Sequence, residues 1–324
     1  MTTSFLGLDF VPIALEHKAE LQAHLRRFPQ RISGYTFASL YAWSHPYGFA
    51  WARFGDDCVL VCRRFGAAGE LHLLQPLGPL DPACLATLLT AARRLPYPLK
   101  LLSVAEDFLA GHPALAAAFD VVDDPAGANY LYRSRDLADL PGRRYAKKRN
   151  LVAQFEAQHP AHEVAPLDAA CGASCLDVLR TMAHGAGLAD GGASLRQELE
   201  ALDVTMAHFD ALEQAGVLVR VDGKPVAFSV FERLNAEIAA VHFEKADRAY
   251  KGLFQIVNRA SARAIAALGC RLVNREEDLG DDGLRQAKRS YHPIEIASVF
   301  DLTLRADARP DARPDVRPDA RPAP

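Results

Sequence analysis

Leu195, Leu199, Leu202, Met206, Phe209 and Leu212 recur at helical spacing, and the pattern stops at Gly216. Residues three and four apart share one helix face, so this spacing predicts an amphipathic helix that ends at the glycine. Residues 217–221 then read as a strand, Asp222-Gly223 supplies a hairpin turn, and residues 226–231 form the returning strand. A third strand is predicted over 238–243. Leu253, Ile256, Val257, Ala260, Ala264 and Leu268 trace a second helix ended by Gly269, and 271–274 reads as another strand. The order is helix, three strands, helix, strand.

The first half repeats this order in a weaker form. Helix signals at 16–27 precede strand-like runs at 48–54, 57–63 and 70–74, a helix at 82–95 and a strand at 99–104. Both final strands run into acidic segments, Glu106-Asp107 and Glu276-Glu277-Asp278, which read as helix starts because carboxylates favour the positive end of the helix dipole. A structural repeat without sequence identity implies two domains, placed at 1–138 and 139–304. The tail, 305–324, holds the four-residue repeat Asp-Ala/Val-Arg-Pro; a proline every fourth residue and alternating charge predict an extended, solvated tether.

Composition narrows the class. Of 324 residues, 50% are hydrophobic and 24% charged, with a formal net charge of -3, so nothing draws the whole protein toward nucleic acid or membrane and any basic surface must be local. The chain shows neither a signal peptide nor an apolar run of membrane-spanning length, which points to the cytoplasm. Six cysteines without a C-x-x-C pair fit reduced thiols. His159, His162, Cys171 and Cys175 have a zinc-like spacing, but Cys171 and Cys175 fall in a helix-like segment and His159 precedes a proline, so no metal is expected.

Four stretches carry a resemblance: SGYTFASLYAW (33–43), YLYRSRDLADLPGRRYAKKRNLVAQF (130–155), EKADRAYKGLFQIVNR (244–259) and VNREEDLGDDGLRQAKRSYHP (273–293). Over about residues 10–302 the sequence resembles the bacterial domain family of unknown function classed with the C-terminal domain of phosphatidylglycerol lysyltransferases. The resemblance implies an α/β fold with mixed sheets, in two tandem GNAT-like (N-acetyltransferase-type) domains. It also implies an acyltransferase or aminoacyltransferase that moves an aminoacyl group from a charged tRNA to an amine or hydroxyl. An acyl-CoA donor, and a non-catalytic module for RNA or an anionic ligand, are the alternatives. No membrane domain is fused to this sequence, which sets it apart from the lysyltransferases. That departure counts against a lipid acceptor, and among small molecule, peptide and lipid the sequence assigns none.

Candidate site residues follow from chemistry and from this resemblance. In acetyltransferases the junction between third strand and second helix binds the donor pyrophosphate; here Arg248, Lys251 and Gly252 stand at that junction, in a loop one residue longer. The first half has no such junction and reads as degenerate. Arg143, Arg144, Lys147, Lys148 and Arg149 cluster around Tyr145, a footprint of phosphate-backbone contact or of a solvated connector. Strand alternation puts Asn274 and Glu276 on one face of the last strand, and His242 with Glu244 on one face of its neighbour. Acyl transfer needs a base, an orienting group and an acid, roles assigned to Glu276 or Glu244, Asn274 and Tyr291.

Overall fold

The computed structural model describes residues 2–66, 68–185 and 193–306; residues 307–324 of the predicted tether lie outside them. Among the described residues fifteen strands build two sheets: β1 (Thr3–Phe5), β2 (Leu8–Pro12), β3 (Ala50–Phe54), β4 (Cys58–Phe65), β5 (Glu70–Leu74), β6 (Lys100–Ala105), β7 (Phe119–Asp123), β8 (Asn129–Arg133), β9 (Glu163–Pro166), β10 (Ala215–Val221), β11 (Lys224–Arg233), β12 (Ile238–Ala246), β13 (Leu272–Asn274), β14 (Glu295–Ala297) and β15 (Val299–Leu304). The first sheet has the order β1-β2-β3-β4-β5-β6-β15-β7 and the second β14-β8-β13-β12-β11-β10-β9.

The repeat read from the sequence is present in both. β3, β4 and β5 pair antiparallel and β5 pairs parallel with β6 across the helix Pro82–Ala92. β10, β11 and β12 pair antiparallel and β12 pairs parallel with β13 across the helix Leu253–Ala267. A parallel neighbour requires a crossover, and each helix supplies one while burying an apolar face on its sheet. Leu253, Ile256, Val257 and Ile265 are buried on one such face, each worth ~1.5–3 kcal/mol of apolar burial.

Each sheet also takes a strand from the other half of the chain. β8 precedes residue 138 but pairs with β13 and β14 of the second sheet, and β15 returns to sit between β6 and β7 of the first. The helix Phe37–Tyr47, which the periodicity did not announce, packs against the helix Ala193–Ala207 of the other half. Phe37, Ala38, Leu40, Tyr41 and Ala42 are all buried, and a helix covered on several sides has no polar stripe to betray it. Thr36 caps it, its hydroxyl accepting from the Ser39 amide at 3.0 Å.

A buried polar knot joins the halves. Asn274 donates through Nδ2 to the Arg31 carbonyl and to Asn129 Oδ1, both at 2.8 Å, and Asn129 Oδ1 also accepts from the Ser33 amide and hydroxyl at 2.9 Å. This fully buried amide satisfies groups from three segments far apart in sequence, so it sets how the two sheets meet.

Candidate functional site

β12 continues to Ala246, but its ladder with β13 ends at the pair Ala240–Asn274. Beyond it the two strands diverge. β12 also carries an irregularity: Val230 pairs with Phe243 and Phe231 with Val241, leaving His242 without a partner on β11. Such a bulge re-aims a side chain and reverses the alternation after it. His242 and Glu244 therefore do not share a face, contrary to the expectation from simple alternation.

His242 lies between two carboxylates. Its Nε2 is 2.8 Å from Glu232 Oε1 and its Nδ1 2.7 Å from Glu276 Oε1. Burial alone would lower the imidazole pKa, but the hydrogen bonds and charges of Glu232 and Glu276 outweigh it and push it up to about 10. The ring is an imidazolium at neutral pH, donating from both nitrogens. Glu232 is nearly buried, whereas the Glu276 side chain keeps 24% of its surface open. Glu276 Oε2 has no hydrogen-bond partner among the described residues. Glu276 itself sits at φ +58°, a left-handed backbone that a β-ladder would not permit, and its amide donates to Asn274 Oδ1 at 2.7 Å. Asn274 thus orients Glu276 while tying the halves together.

The acidic run 276–278 is not a helix start. The helix begins at Asp282, capped by Asp281, whose carboxylate accepts from the Leu284 amide at 2.7 Å. Asp278 is instead a buried anchor for that helix: it takes Arg285 Nε at 2.8 Å, the Tyr130 hydroxyl at 2.7 Å and the Gly280 amide at 2.9 Å. Desolvation opposes its ionisation, yet these donors hold its pKa down to about 2. Glu277 goes the other way, since burial and the adjacent Glu276 carboxylate push it up to about 7. Lys288 is buried beneath this loop, donating to the Arg275 carbonyl at 2.5 Å and to the Glu277 carbonyl, and desolvation lowers its pKa to about 8.

On the opposite face, toward the helix Leu253–Ala267, the space between the diverging strands is filled. Arg275 pairs with Glu244 at 2.6 Å, Asn258 Nδ2 donates to the other Glu244 oxygen at 3.0 Å, and the Arg275 guanidinium lies 5.0 Å from the Tyr291 ring centroid. Tyr291 is there too, so the sequence-assigned acid stands with Glu244 rather than with Glu276. Its hydroxyl is buried near Gln255 with no partner at hydrogen-bond geometry, and burial pushes its pKa up to about 12. Glu244 and Tyr291 are therefore placed apart from Glu276 and Asn274.

The turn before that helix is closed as well. Gly252 has φ +89°, and a Cβ there would stand 2.3 Å from the Leu151 carbonyl oxygen of the helix Ala146–Gln158. Arg248 and Lys251 are exposed without side-chain partners among the described residues, but the backbone they flank is packed against another helix. Gly252→Ala should destabilise the protein by about 2–4 kcal/mol, from left-handed strain plus overpacking. Urea denaturation measures it; an unchanged midpoint would mean that the turn is open.

The basic segment is only partly available. Arg144 pairs with Asp136 at 2.7 Å, Arg149 donates to the Leu140 and Gly142 carbonyls at 2.5 and 2.6 Å, and Lys148 turns inward to Ser290 Oγ at 2.7 Å and the Tyr291 ring. Burial and Arg275 lower the Lys148 pKa to about 8. Arg143 and Lys147 alone of the five are exposed with no side-chain hydrogen bond or ion pair among the described residues. His159, His162, Cys171 and Cys175 do not converge, and no group of three potential metal ligands occurs among the described residues.

The sequence placed His242 on a strand face without a role and did not single out Glu232. The available signal was a histidine and a glutamate inside otherwise apolar strands, IAAVHFE and SVFER, whose hairpin register brings them close.

Two mixed sheets, each with three antiparallel strands and a parallel fourth across a helix, define the tandem GNAT-like class. FemX has this fold, with a TM-score of 0.57 at 10% identity over 90% of this chain and 96% of that chain. The chain belongs to the family described as phosphatidylglycerol lysyltransferase, C-terminal, which matches residues 25–302. It is similar to a conserved protein of unknown function from Bacteroides thetaiotaomicron at 29% identity and a TM-score of 0.84, covering 92% of this chain and 100% of that one. L-PGS from Bacillus licheniformis shares the fold at 13% identity and a TM-score of 0.61, over 88% of this chain and 90% of that chain. Comparison with curated proteins gives no match. No described helix is long and apolar enough to cross a membrane. The family supports a function of the aminoacyl-transferase type.

Proposed function

We propose that this chain transfers an aminoacyl group from aminoacyl-tRNA to an amine or hydroxyl of a small molecule, peptide or lipid, with Glu276 at the reaction centre. The observation that carries this reading is the Glu232–His242–Glu276 array at the opening beyond the β12–β13 ladder, in a chain of this family. Glu276 Oε1 is fixed by the imidazolium, and its second oxygen is free to accept a proton. The acceptor nitrogen or oxygen attacks the ester carbonyl carbon of the aminoacyl group and gives its proton to that oxygen. The ester bond to the terminal ribose then breaks, and Glu276 returns the proton to the leaving ribose oxygen. Atoms and charge balance without a metal or a covalent enzyme intermediate.

An acyl-CoA donor is the weaker reading because Leu151 packs on Gly252 at the turn where a pyrophosphate would bind. The test incubates the full chain with a pool of labelled aminoacyl-tRNAs and a panel of amine, hydroxyl, peptide and lipid acceptors. Label should pass to an acceptor faster than with Glu276→Gln. Turnover of acyl-CoA instead, or RNA binding with no transfer to any acceptor, would overturn the proposal.

A further inference from the structure

The inner face of the first sheet ends in a cluster of cations and rings that the proposed chemistry does not use. Arg63 follows the core residues Val59 and Val61 on β4 at the strand period of two, so it leaves the apolar core on the same face. Its guanidinium carbon lies 4.4 Å from the Tyr47 ring centroid, 5.5 Å from Phe65 and 6.0 Å from Phe49. Lys100 Nζ stands 5.3 Å from the Phe65 centroid, and His72 pairs with Arg63 across β4 and β5. Asp301 acts on Arg63 and Lys100 electrostatically, and one of its oxygens is already taken by the Ser103 amide at 3.0 Å.

Arg63 is half-buried, yet among the described residues it donates no hydrogen bond and forms no ion pair, and its fully buried Nε has no partner there. That is an unusual state for a guanidinium. Stacking on Tyr47 uses the flat face of the group, while its donors lie in the plane and point away from the ring. A partly desolvated cation with an unused fork of donors calls for an anionic acceptor, and the fork geometry matches a phosphate held by two parallel hydrogen bonds. Lys100 adds a second charge. The Phe65 ring, 37% exposed beside both cations, offers a stacking surface for a planar base.

We infer that Arg63, Lys100 and Phe65 form a nucleotide-phosphate site, with the guanidinium clamping the phosphate and Phe65 stacking on the base. The choice of a nucleotide as the bearer of the phosphate rests on the proposed tRNA donor; the anion site itself does not.

Equilibrium dialysis of the full chain against 5′-CMP, 5′-AMP, inorganic phosphate and a short single-stranded RNA tests it, with thermal melts run beside each variant. The mononucleotides and the RNA should bind, and more tightly than inorganic phosphate. Arg63→Met should weaken nucleotide binding ~10-fold or more and Arg63→Lys less, because lysine keeps the charge and loses the fork. The salt slope of RNA binding should fall by about 1 in Arg63→Met. Mononucleotides and RNA binding alike would place recognition at the single nucleotide unit, as inferred; RNA that binds while mononucleotides do not would overturn it. If Arg63→Met does not fold, Arg63→Lys and the exposed Phe65→Leu carry the test. Absence of nucleotide and RNA binding, phosphate binding as tightly as nucleotide, or a folded Arg63 variant that binds like wild type would each overturn the assignment. The readout is independent of transfer: nucleotide binding that needs Arg63, in a protein that transfers from no donor, would retire the proposed function and keep this site.

Discussion

Glu276→Gln should fold like the wild type and lower aminoacyl transfer ~100-fold or more, the usual reach of a positioned general base. Glutamine still accepts the His242 hydrogen bond through its amide oxygen, so the array keeps its shape. What it loses is a site that can take the acceptor's proton. The loss should therefore fall on kcat with little change in KM, because proton transfer matters only in the transition state. Glu277→Gln is the control. Burial already pushes the Glu277 carboxyl up to about 7, and glutamine imitates its neutral form, so this variant should transfer at close to the wild-type rate. Equal losses at both positions would remove Glu276 from the reaction centre.

His242→Gln should lower stability by about 3–5 kcal/mol at pH 6, since removing the cation from a buried ion array leaves its partners uncompensated. Glu232 and Glu276 would then face one another across a neutral amide. The effect has a defined pH dependence. The imidazole pKa is raised from 6.5 to about 10 in the folded protein, so its contribution is fully present below 6.5 and is lost as pH rises through about 10. The stability difference between wild type and His242→Gln should thus be large at pH 6 and small above pH ~10. Lys148 and Lys288, both lowered to about 8, act in the opposite sense, their contribution being lost as pH falls through 8. Only the difference between the two proteins isolates His242. Urea melts at pH 6, 8 and 10 read it out, and a gap that does not change with pH would mean that the ring is neutral in the folded state.

The two copies of helix, three strands, helix and strand could be read from the chain alone because each signal is local. Leu253, Ile256 and Val257 share a helix face within a single turn and a half, and Asp222-Gly223 sets the β10–β11 hairpin through its own backbone preferences. Strand alternation reaches only to Asn274, the last residue of β13; Glu276 lies beyond it in a left-handed backbone, and its carboxylate meets His242 through that turn rather than through the strand period. The remaining features depend on partners distant in sequence. β15 lies between β6 and β7 because pairing on both of its edges satisfies backbone groups that a loop would leave open, and no pattern in residues 299–304 specifies those neighbours. The bulge at His242 comes from a one-residue mismatch with β11. It turns Glu244 toward Arg275 and leaves His242 between Glu232 and Glu276, which sequence alternation cannot anticipate. The same dependence closed off much of the basic segment: Arg144, Lys148 and Arg149 found acceptors only when Asp136, Ser290 and the Leu140 carbonyl folded against them. Residue type and period determine which elements form; desolvation and the demand that every buried polar group find a partner determine which side chains are left free for chemistry.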